Sequence, residues 1–235
     1  MKEHSRKEIW KMFDTITSKY DFLNHFLSLG FDYKWRRALT RQIVFNDRMN
    51  ILDLCSGTGD QIFSIINSKN FKSNALIGMD MSANMLSLAK DKLQNNNIDN
   101  IVNLVRGNGE SIPLKKNIID IVTVSFGIRN ICDISKCLDE IYRVLTPSGK
   151  LLILEFSLPQ NLIIRNLYIY VLRYFLPTVG GLFSKNKEAY IYLADTIRSF
   201  PSGDSFLNIL QNVGFSNLKQ KQMSFGTVTL YQCEK

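Results

Sequence analysis

The chain has 235 residues, of which 45% are hydrophobic and 21% are charged, so one domain of ordinary size can bury a large core. No run approaches the ~18 apolar residues of a membrane-spanning helix. The opening segment MKEHSRKEIWKMFD is too charged for a signal peptide and carries too much Glu and Asp for a transit peptide. The four cysteines form no CxxC pair or metal-like grouping, which predicts free thiols in a reducing compartment, and the net charge of +8 favours an anionic partner only weakly.

Residues 1–47 are predicted to form a helical N-terminal cap, whose apolar face begins at Ile9. Five strand-like runs follow: NILDLC, ALIGMD, IVNLVRG, IDIVTVSF and KLLILEFS. Between them lie the amphipathic helices DQIFSIINSK, SANMLSLAKDKLQNN and ISKCLDEIYRVL, with Ser82 as N-cap of the second. Apolar strands that alternate with helices indicate a parallel sheet covered on both faces. The sequence therefore predicts a doubly wound α/β domain over about residues 48–157 and the C-terminus.

Residues 158–200 interrupt this alternation, because they are aromatic and helix-like, and we interpret them as a helical insertion. The segment GFSNLKQKQMSFGTVTLYQC then predicts two closing strands, antiparallel at the edge of a mostly parallel sheet. No repeat or linker divides the chain, so residues 1–235 are expected to form a single domain.

The stretch ILDLCSGTGD places two glycines, Gly57 and Gly59, at the tip of the first predicted strand. Ligands of doubly wound sheets bind at the carboxyl ends of the strands. The dinucleotide fingerprint GxGxxG is incomplete here, because Ile62 stands at the third glycine position. The free N–H groups of the following helix then suit a carboxylate rather than a pyrophosphate. A plain strand-to-helix turn is the alternative.

Asp80 ends the second predicted strand about 20 positions further on, where an acidic side chain can accept hydrogen bonds from both hydroxyls of a ribose. Its alternative role is that of a carboxylate at a helix N-terminus. After the third strand, Asn108 and Gly109 are placed to read an adenine edge, with Met81 or Ile112 against the ring; an ordinary Asn-Gly turn is the alternative. A ligand with a ribose, an adenine-sized arm and a carboxylate matches S-adenosylmethionine better than NAD.

Six segments resemble the C-methyltransferases of menaquinone and ubiquinone biosynthesis: YDFLNHFLSLGFDYKWRR, LDLCSGTGD, GMDMSANML, VSFGIRN, EIYRVLTPSGKLLILEFS and GGLFSKNKEAYIYLADTIRSFP. The resemblance spans about Asp14 to Tyr231, with TPSG where Lys-Pro-Gly-Gly is usual and Gly109 where alanine is common. It implies a seven-stranded class I methyltransferase fold, S-adenosylmethionine as co-substrate, no metal, and methylation of a ring carbon of a polyprenylated quinol. It also implies that the co-substrate contacts Thr58, Asp80, Asn108, Gly109 and Ser125.

A ring carbon becomes a good nucleophile only when an adjacent hydroxyl ionises, and a phenol has a pKa of about 10. A fixed cation in the site favours the phenolate, and arginine stays charged when buried. Our hypothesis is that Arg129 and Asn130, just after the fourth strand, orient the quinol oxygen through a water that takes the proton, and that Tyr20 joins their network. The alternatives are a surface ion pair of Arg129 with Glu155 or Asp133, and core packing of Tyr20.

The histidines offer no obvious base, and His25 is expected to be a packed helix residue. Cys55 lies beside the glycine turn without a histidine partner in the sequence, so we interpret it as a small buried residue rather than a nucleophile.

Demethylmenaquinol is the favoured acceptor; a polyprenyl-methoxy-benzoquinol, another small molecule, or an oxidoreductase that binds a nucleotide are the alternatives. We expect no nucleic-acid partner, since the basic residues form no block. The expected location is the cytoplasm, peripheral to the inner face of the membrane. There the segment at residues 158–183 would receive the prenyl tail while Arg165 and Arg173 face lipid phosphates; a cap helix is the alternative. A homodimer is left open.

Overall fold

A computed structural model of the protein describes His25 and residues 28–175 and 187–235. The predicted helical cap before residue 25, the hypothesised Tyr20, and residues 176–186 of the insertion lie outside this part of the chain.

Seven strands form one sheet within the described chain. They are β1 (Asn50–Leu54), β2 (Ala75–Asp80), β3 (Val102–Arg106), β4 (Ile119–Ser125), β5 (Leu145–Phe156), β6 (Ser216–Met223) and β7 (Val228–Glu234). Their order across the sheet is β3-β2-β1-β4-β5-β7-β6. Strands β1 to β5 run parallel, whereas β7 is antiparallel to both β5 and β6. The doubly wound, mostly parallel sheet and its antiparallel closing strands are confirmed.

The helices of the described chain are α1 (Phe31–Thr40), α2 (Asp60–Ile66), α3 (Ala83–Asn95), α4 (Ile134–Val144), α5 (Leu162–Tyr170), α6 (Lys187–Ser199) and α7 (Asp204–Val213). Short 3₁₀ turns lie at Asp99–Ile101, Ile128–Asn130 and Ser224–Gly226, and a π turn extends α5 over Val171–Phe175. The three helices predicted between the strands are α2, α3 and α4. Ser82 caps α3 as predicted, because its Oγ accepts a hydrogen bond of 3.1 Å from the N–H of Met85.

Helix α1 ends at Thr40, so the predicted N-terminal cap is not helical up to residue 47. The chain turns after Arg41 and continues without regular structure to residue 49. Phe45 lies in this segment and packs edge-on against Phe71, with ring centroids 5.8 Å apart. The chain thus leaves the helix after Thr40 where Phe45 packs against a distant part of the fold.

Side chains of each central strand alternate between two apolar layers, one on each face of the sheet. From β1, Ile51 belongs to the layer that contains Trp35 of α1 and Ile62 of α2. Leu52 belongs to the opposite layer, with Ile141 of α4 and Phe206 of α7. Because both faces are covered, the carboxyl ends of the parallel strands are left as the open edge on which a site can form.

The described part of the insertion is helical, as predicted. Leu172, in the π turn, is buried in a small separate cluster with Ala194 and Ile197 of α6. By contrast, much of α5 is apolar and exposed to solvent. No helix in the described ranges combines the length and the apolar character needed to cross a bilayer.

Candidate active site

The loop that follows β1 is held in an unusual backbone conformation. Three of its residues have positive φ: Cys55 (57°), Gly57 (54°) and Gly59 (87°). The conformation is fastened to the neighbouring strand, because the N–H of Ser56 donates to the carbonyl of Met79 at 3.1 Å. Glycine adopts such φ values without strain, which explains why two glycines occupy this turn.

Asp80, at the tip of β2, also holds this loop. Its Oδ2 accepts a 2.8 Å hydrogen bond from the N–H of Gly57, and its Oδ1 accepts one of 2.9 Å from the N–H of Ser82. Each carboxylate oxygen can accept more than one hydrogen bond. Asp80 therefore braces the start of α3, as the alternative interpretation held, and also lines the cavity above the strand tips.

The strand-tip cavity lies over the carboxyl ends of β1, β2, β3 and β4. Its described lining consists of Leu54, Cys55, Gly57, Met79, Asp80, Met81, Ser82, Met85, Gly107, Asn108, Gly109, Ser125, Phe126, Gly127, Asn130 and Ile131. Six of the eight residues predicted to bind the co-substrate are among them: Gly57, Asp80, Met81, Asn108, Gly109 and Ser125. The fold thus places predicted residues from four separate segments of the sequence around one cavity.

Thr58 and Gly59, the other two predicted residues, are not in that lining. The Thr58 side chain is buried and its Oγ1 accepts a 3.4 Å hydrogen bond from Lys92 Nζ. Gly59 is the N-cap of α2. Ile112, one of the two residues expected against an adenine ring, is buried in the core instead, whereas Met81 is exposed in the cavity.

Asn108 combines the two roles that the sequence left open. Its Oδ1 accepts a hydrogen bond of 3.0 Å from the N–H of Glu110, and its carbonyl accepts one of 3.0 Å from the N–H of Ser111. The residue therefore forms a tight turn and lines the cavity at once. At the opposite wall, the Ser125 hydroxyl donates to Gln61 Oε1 at 3.0 Å, a long-range bond that no local pattern indicates.

Gly127 was not predicted as a site residue, although it belongs to the motif VSFGIRN. A Cβ atom there would lie 2.3 Å from Cys55 Cβ, so only glycine fits beside the loop. Cys55 lines the cavity with its residue only half-buried, although it also packs against the core, so its interpretation as a buried residue is correct only in part. Burial raises the pKa of the Cys55 thiol, so the group stays protonated near neutral pH and is a poor nucleophile.

In the GxGxxG fingerprint, the third glycine lets the following helix pack closely on the sheet. Here Ile62 stands at that position, and α2 still packs closely. Ile62 is fully buried there. The glycine lies on β2 instead: a Cβ atom at Gly78 would be 2.5 Å from Ile62 Cδ1 and 2.9 Å from Leu104 Cδ2. The missing glycine of the fingerprint is thus offset by a glycine on the neighbouring strand.

A second, mostly apolar cavity of about 470 Å³ adjoins the first, a volume in the range of small-molecule sites. Its described lining consists of Ser28, Phe31, Asp32, Trp35, Arg36, Phe126, Arg129, Phe156, Tyr168, Val171, Leu172, Leu193, Ile197, Ser224, Phe225 and Thr227. Phe126 lines both cavities and packs against Phe156, with ring centroids 4.6 Å apart. Phe126 therefore lies at the boundary between the two.

Arg129 lines the apolar cavity from the turn after β4. Its NH1 lies 2.7 Å from Glu155 Oε1, and the two side chains are only 5% and 0% exposed. The same NH1 donates to the carbonyl of Phe126. The alternative of an ion pair with Glu155 is thus confirmed, but the pair is buried rather than on the surface, because β4 and β5 are neighbouring strands of the sheet interior. Asp133 instead caps α4 by accepting from the N–H of Lys136.

Asn130 lies beside Arg129 but lines the strand-tip cavity. Its Oδ1 accepts a 3.0 Å hydrogen bond from the Tyr192 hydroxyl, which fixes the amide against α6. Arg129 and Asn130 are consecutive residues of one 3₁₀ turn, so they place a cation and an amide at the junction of the two cavities.

Beneath the strand-tip cavity, β1 carries a carboxyl group in the sheet interior. Asp53 is 1% exposed, and its Oδ1 accepts a 2.6 Å hydrogen bond from the Thr123 hydroxyl. Its Oδ2 has no hydrogen-bond partner among the residues that the structure describes. Burial raises the pKa of Asp53 from its ordinary 3.8 to about 7, since the charged form loses its hydration.

This shift predicts how stability varies with pH. Between pH 4 and 7 the unfolded carboxyl is ionised while the folded one keeps its proton, so the free energy of unfolding falls as pH rises, by about 1.4 kcal/mol per pH unit from this group. We expect Asp53→Asn to remove this slope. Urea unfolding of both proteins at several pH values measures it, and a difference between them that is constant across pH 4 to 7 would contradict the assignment.

The comparisons with known proteins agree with this geometry. The ubiE/COQ5 methyltransferase family matches the chain over residues 1–235. The chain belongs to this family. A ubiquinone/menaquinone biosynthesis C-methyltransferase of Geotalea daltonii is 40% identical over 229 residues, which is 97% of both chains. A demethylmenaquinone methyltransferase of Bacteroides fragilis is 36% identical, over 97% of this chain and 93% of its own length.

Among solved structures, a SAM-dependent methyltransferase of Thermotoga maritima superposes with a TM-score of 0.66 over 96% of this chain and 99% of its own. Its identity of 20% supports the fold alone. The protein is thus a ubiE/COQ5-family methyltransferase with the class I methyltransferase fold, and the family resemblance of its sequence motifs is confirmed.

Proposed function

We propose that this methyltransferase transfers a methyl group from S-adenosylmethionine to a ring carbon of a polyprenylated quinol, with demethylmenaquinol as the acceptor. The observation that carries the proposal is the pair of cavities that share Phe126. One is set on the strand tips with Asp80 and Asn108 in its lining, and the other is mostly apolar with the cation of Arg129 at the junction. The names of both relatives, one for ubiquinone and menaquinone biosynthesis and one for demethylmenaquinone, point to the same chemistry.

In this proposal the co-substrate occupies the strand-tip cavity. Asp80 accepts hydrogen bonds from the ribose hydroxyls, and Asn108 with Gly109 reads the adenine edge while Met81 covers the ring. The residues fit such a ligand, because Asp80 offers an acceptor where a second-strand acid is expected in doubly wound folds. Ser125 and Gly57 complete the polar lining. Thr58 and Gly59 act indirectly, by shaping the turn beneath it.

The quinol ring occupies the apolar cavity and meets the methyl group across the junction. The sulfonium methyl is already electrophilic, so the protein has to hold the ring carbon in line and favour the ionised hydroxyl. Arg129 supplies the positive charge, although Glu155 at 2.7 Å offsets part of it. Asn130 orients the hydroxyl by its amide. Tyr20 stays a predicted member of this network.

The proposal is tested by incubating the purified protein with S-adenosylmethionine and reduced, tail-bearing demethylmenaquinone, and in parallel with a polyprenyl-methoxy-benzoquinol. We expect mass spectrometry to show one added ring methyl on the naphthoquinol. Methylation of the benzoquinol alone would move the function to ubiquinone synthesis. If neither is methylated, the proposed substrate class is wrong.

We further propose that the exposed apolar face of α5 contacts the membrane in which such a quinol resides. Leu162, Ile163 and Leu167 are 69%, 80% and 63% exposed. Arg165 and Arg173 are exposed beside them and carry no salt bridge to a described residue, so they can pair with lipid phosphates. An apolar helical surface flanked by arginines is typical of interfacial attachment.

Arg165→Glu combined with Arg173→Glu is therefore expected to weaken sedimentation with anionic liposomes and to slow turnover of the long-tailed quinol, while activity on a tail-less quinol is spared. The matched control is Lys219→Glu with Lys221→Glu, which makes the same charge change on exposed positions of β6. If the wild type does not bind liposomes, or both double variants bind as it does, the membrane contact lies elsewhere.

A further inference from the structure

The apolar cavity contains a single carboxylate among its described lining residues, that of Asp32. Asp32 is 4% exposed and lies in the first turn of α1. Arg36, four residues later, lines the same cavity, since positions i and i+4 share one face of a helix. A buried acid that lines an apolar binding site is close enough to a bound substrate to exchange a proton with it.

Asp32 is held by two side chains that precede α1 in the chain, those of His25 and of Ser28 in the turn before the helix. Its Oδ2 lies at hydrogen-bonding distance, 2.7 Å, from His25 Nδ1, and its Oδ1 accepts a hydrogen bond of 2.6 Å from the Ser28 hydroxyl. A carboxylate oxygen has room for a further donor. The imidazole is fixed in turn, because Tyr33 stacks on it with ring centroids 4.4 Å apart. This arrangement orients a base and places a second titratable group directly behind it.

The far side of His25 faces a different environment. His25 lines a large polar cleft together with Asp60, Lys92 and Arg36. Its Nε2 lies 3.7 Å from Asp60 Oδ2. The three groups Asp32, His25 and Asp60 therefore connect the apolar cavity to an open, charged surface.

A metal ion is a poor occupant of this cluster, although His25, Asp32 and Asp60 have suitable ligand atoms close together. Lys92 Nζ lies 2.8 Å from Asp60 Oδ1, and Arg36 NH2 lies 3.9 Å from Asp60 Oδ2. Although burial opposes it, the charges of Arg36 and Lys92 lower the pKa of Asp60. A divalent cation would have to displace one ammonium group and approach a guanidinium. Transfer of a proton through these side chains requires no displacement of Lys92 and no cation next to Arg36.

We infer that Asp32 accepts the proton of the quinol hydroxyl and that His25 passes it to the polar cleft. The inference rests on the proposed quinol activity. Arg129 is already paired with Glu155, and burial raises the pKa of Tyr168, so that neither of these lining residues is a base at neutral pH. Asp32 is left as the proton acceptor of the described cavity, and His25 is its positioning and relay residue.

In the reaction, the hydroxyl O–H bond breaks as its proton moves to Asp32. The electron pair left on the oxygen makes the ring carbon nucleophilic, and this carbon attacks the methyl group. The new C–C bond forms as the C–S bond breaks, so that the sulfonium becomes the neutral thioether of S-adenosylhomocysteine. The methylated carbon then loses its hydrogen as a proton while the ring oxygen regains one. The net product is one methylated quinol and one proton on Asp32. Asp32 donates this proton to Nδ1 of His25 in its Nε2–H form, and the proton on Nε2 is released to the cleft.

The test compares Asp32→Asn with Asp47→Asn, an equal change at a carboxylate that is 74% exposed. We expect Asp32→Asn to lower kcat by about 10²- to 10⁴-fold at pH 7, with unchanged affinity for S-adenosylmethionine, and Asp47→Asn to resemble the wild type. In Asp32→Asn the rate should rise tenfold per pH unit towards the phenol pKa of about 10, because only pre-ionised quinol reacts. If Asp32→Asn lowered kcat only by damaging the fold, raising the pH would not restore the rate.

His25→Asn keeps a donor towards Asp32 but cannot carry a proton. We expect kcat to fall about tenfold with little change in KM for the quinol, and the double variant Asp32→Asn/His25→Asn to be no slower than Asp32→Asn, since the pair acts as one unit. The pH profiles must be read against Asp60, Arg36, Lys92 and Tyr33, which surround the imidazole.

The outcomes separate the two proposals. A wild type that methylates the quinol no faster than Asp32→Asn overturns the proton path alone and leaves the quinol activity standing. A double variant that multiplies the losses of the two single variants assigns His25 a separate role and overturns the relay. A wild type that methylates no quinol overturns the proposed function and this inference together.

Discussion

Asp80→Ala is expected to weaken binding of S-adenosylmethionine by about 10²- to 10⁴-fold. The variant removes two hydrogen bonds to a charged acceptor, each worth about 1.5 to 3 kcal/mol, and 1.4 kcal/mol corresponds to a tenfold change in Kd. It also removes the acceptor for the N–H of Gly57, so the loop after β1 loses a brace. Isothermal titration calorimetry of the folded variant measures the effect.

The matched control is Asp91→Ala, at an exposed position of α3, which should bind as the wild type does. Thermal unfolding separates lost contacts from a damaged loop, since the affinity should fall much more than the stability. Unchanged affinity in a folded Asp80→Ala variant would remove the ribose assignment.

Arg129→Gln is expected to destabilise the fold by about 3 to 5 kcal/mol and to lower kcat. Glu155 is fully buried, and the variant leaves its charge without the guanidinium that lies 2.7 Å away. The quinol would also ionise at higher pH, because the cation that favours the phenolate is gone. Urea unfolding and the pH dependence of kcat measure the two effects.

The double variant Arg129→Gln/Glu155→Gln separates stability from chemistry. It removes both charges, so we expect most of the lost stability to return, while kcat stays low and co-substrate affinity stays near that of the wild type. A double variant that is stable and turns over normally at neutral pH would make Arg129 a structural residue. A single variant as stable as the wild type would show that Glu155 needs no partner.

The sheet could be predicted from the sequence because its signals are local. Apolar runs such as IDIVTVSF and KLLILEFS are buried on both faces, and the helices between them have one apolar stripe each. The same locality explains the correct N-cap at Ser82, whose hydrogen bond spans three residues. The end of α1 at Thr40 escaped prediction, since Phe45 and Phe71, far apart in the sequence, pack together there.

The candidate site could be predicted only where a residue stands at a strand tip. Asp80 and Asn108 were found in this way, because the carboxyl ends of parallel strands converge. The direction of the Thr58 side chain depends on Lys92, which is 34 residues away, and the depth of Arg129 depends on the pairing of β4 with β5. The pairing of Asp32 with His25 likewise needs the turn between them, and neither helical spacing nor composition indicates it.

The shared position of Phe126 has a thermodynamic consequence. Its backbone has a φ of 59°, and its ring is wedged between Phe156 and Trp35, so it has little freedom to adapt to each ligand separately. Ligands in the two cavities must therefore fit one and the same ring position, and the two binding equilibria become linked. Linkage requires the coupling to be mutual: if the co-substrate tightens quinol binding by some factor, the quinol must tighten co-substrate binding by the same factor. One aromatic side chain would then make the enzyme favour the ternary complex over either binary one.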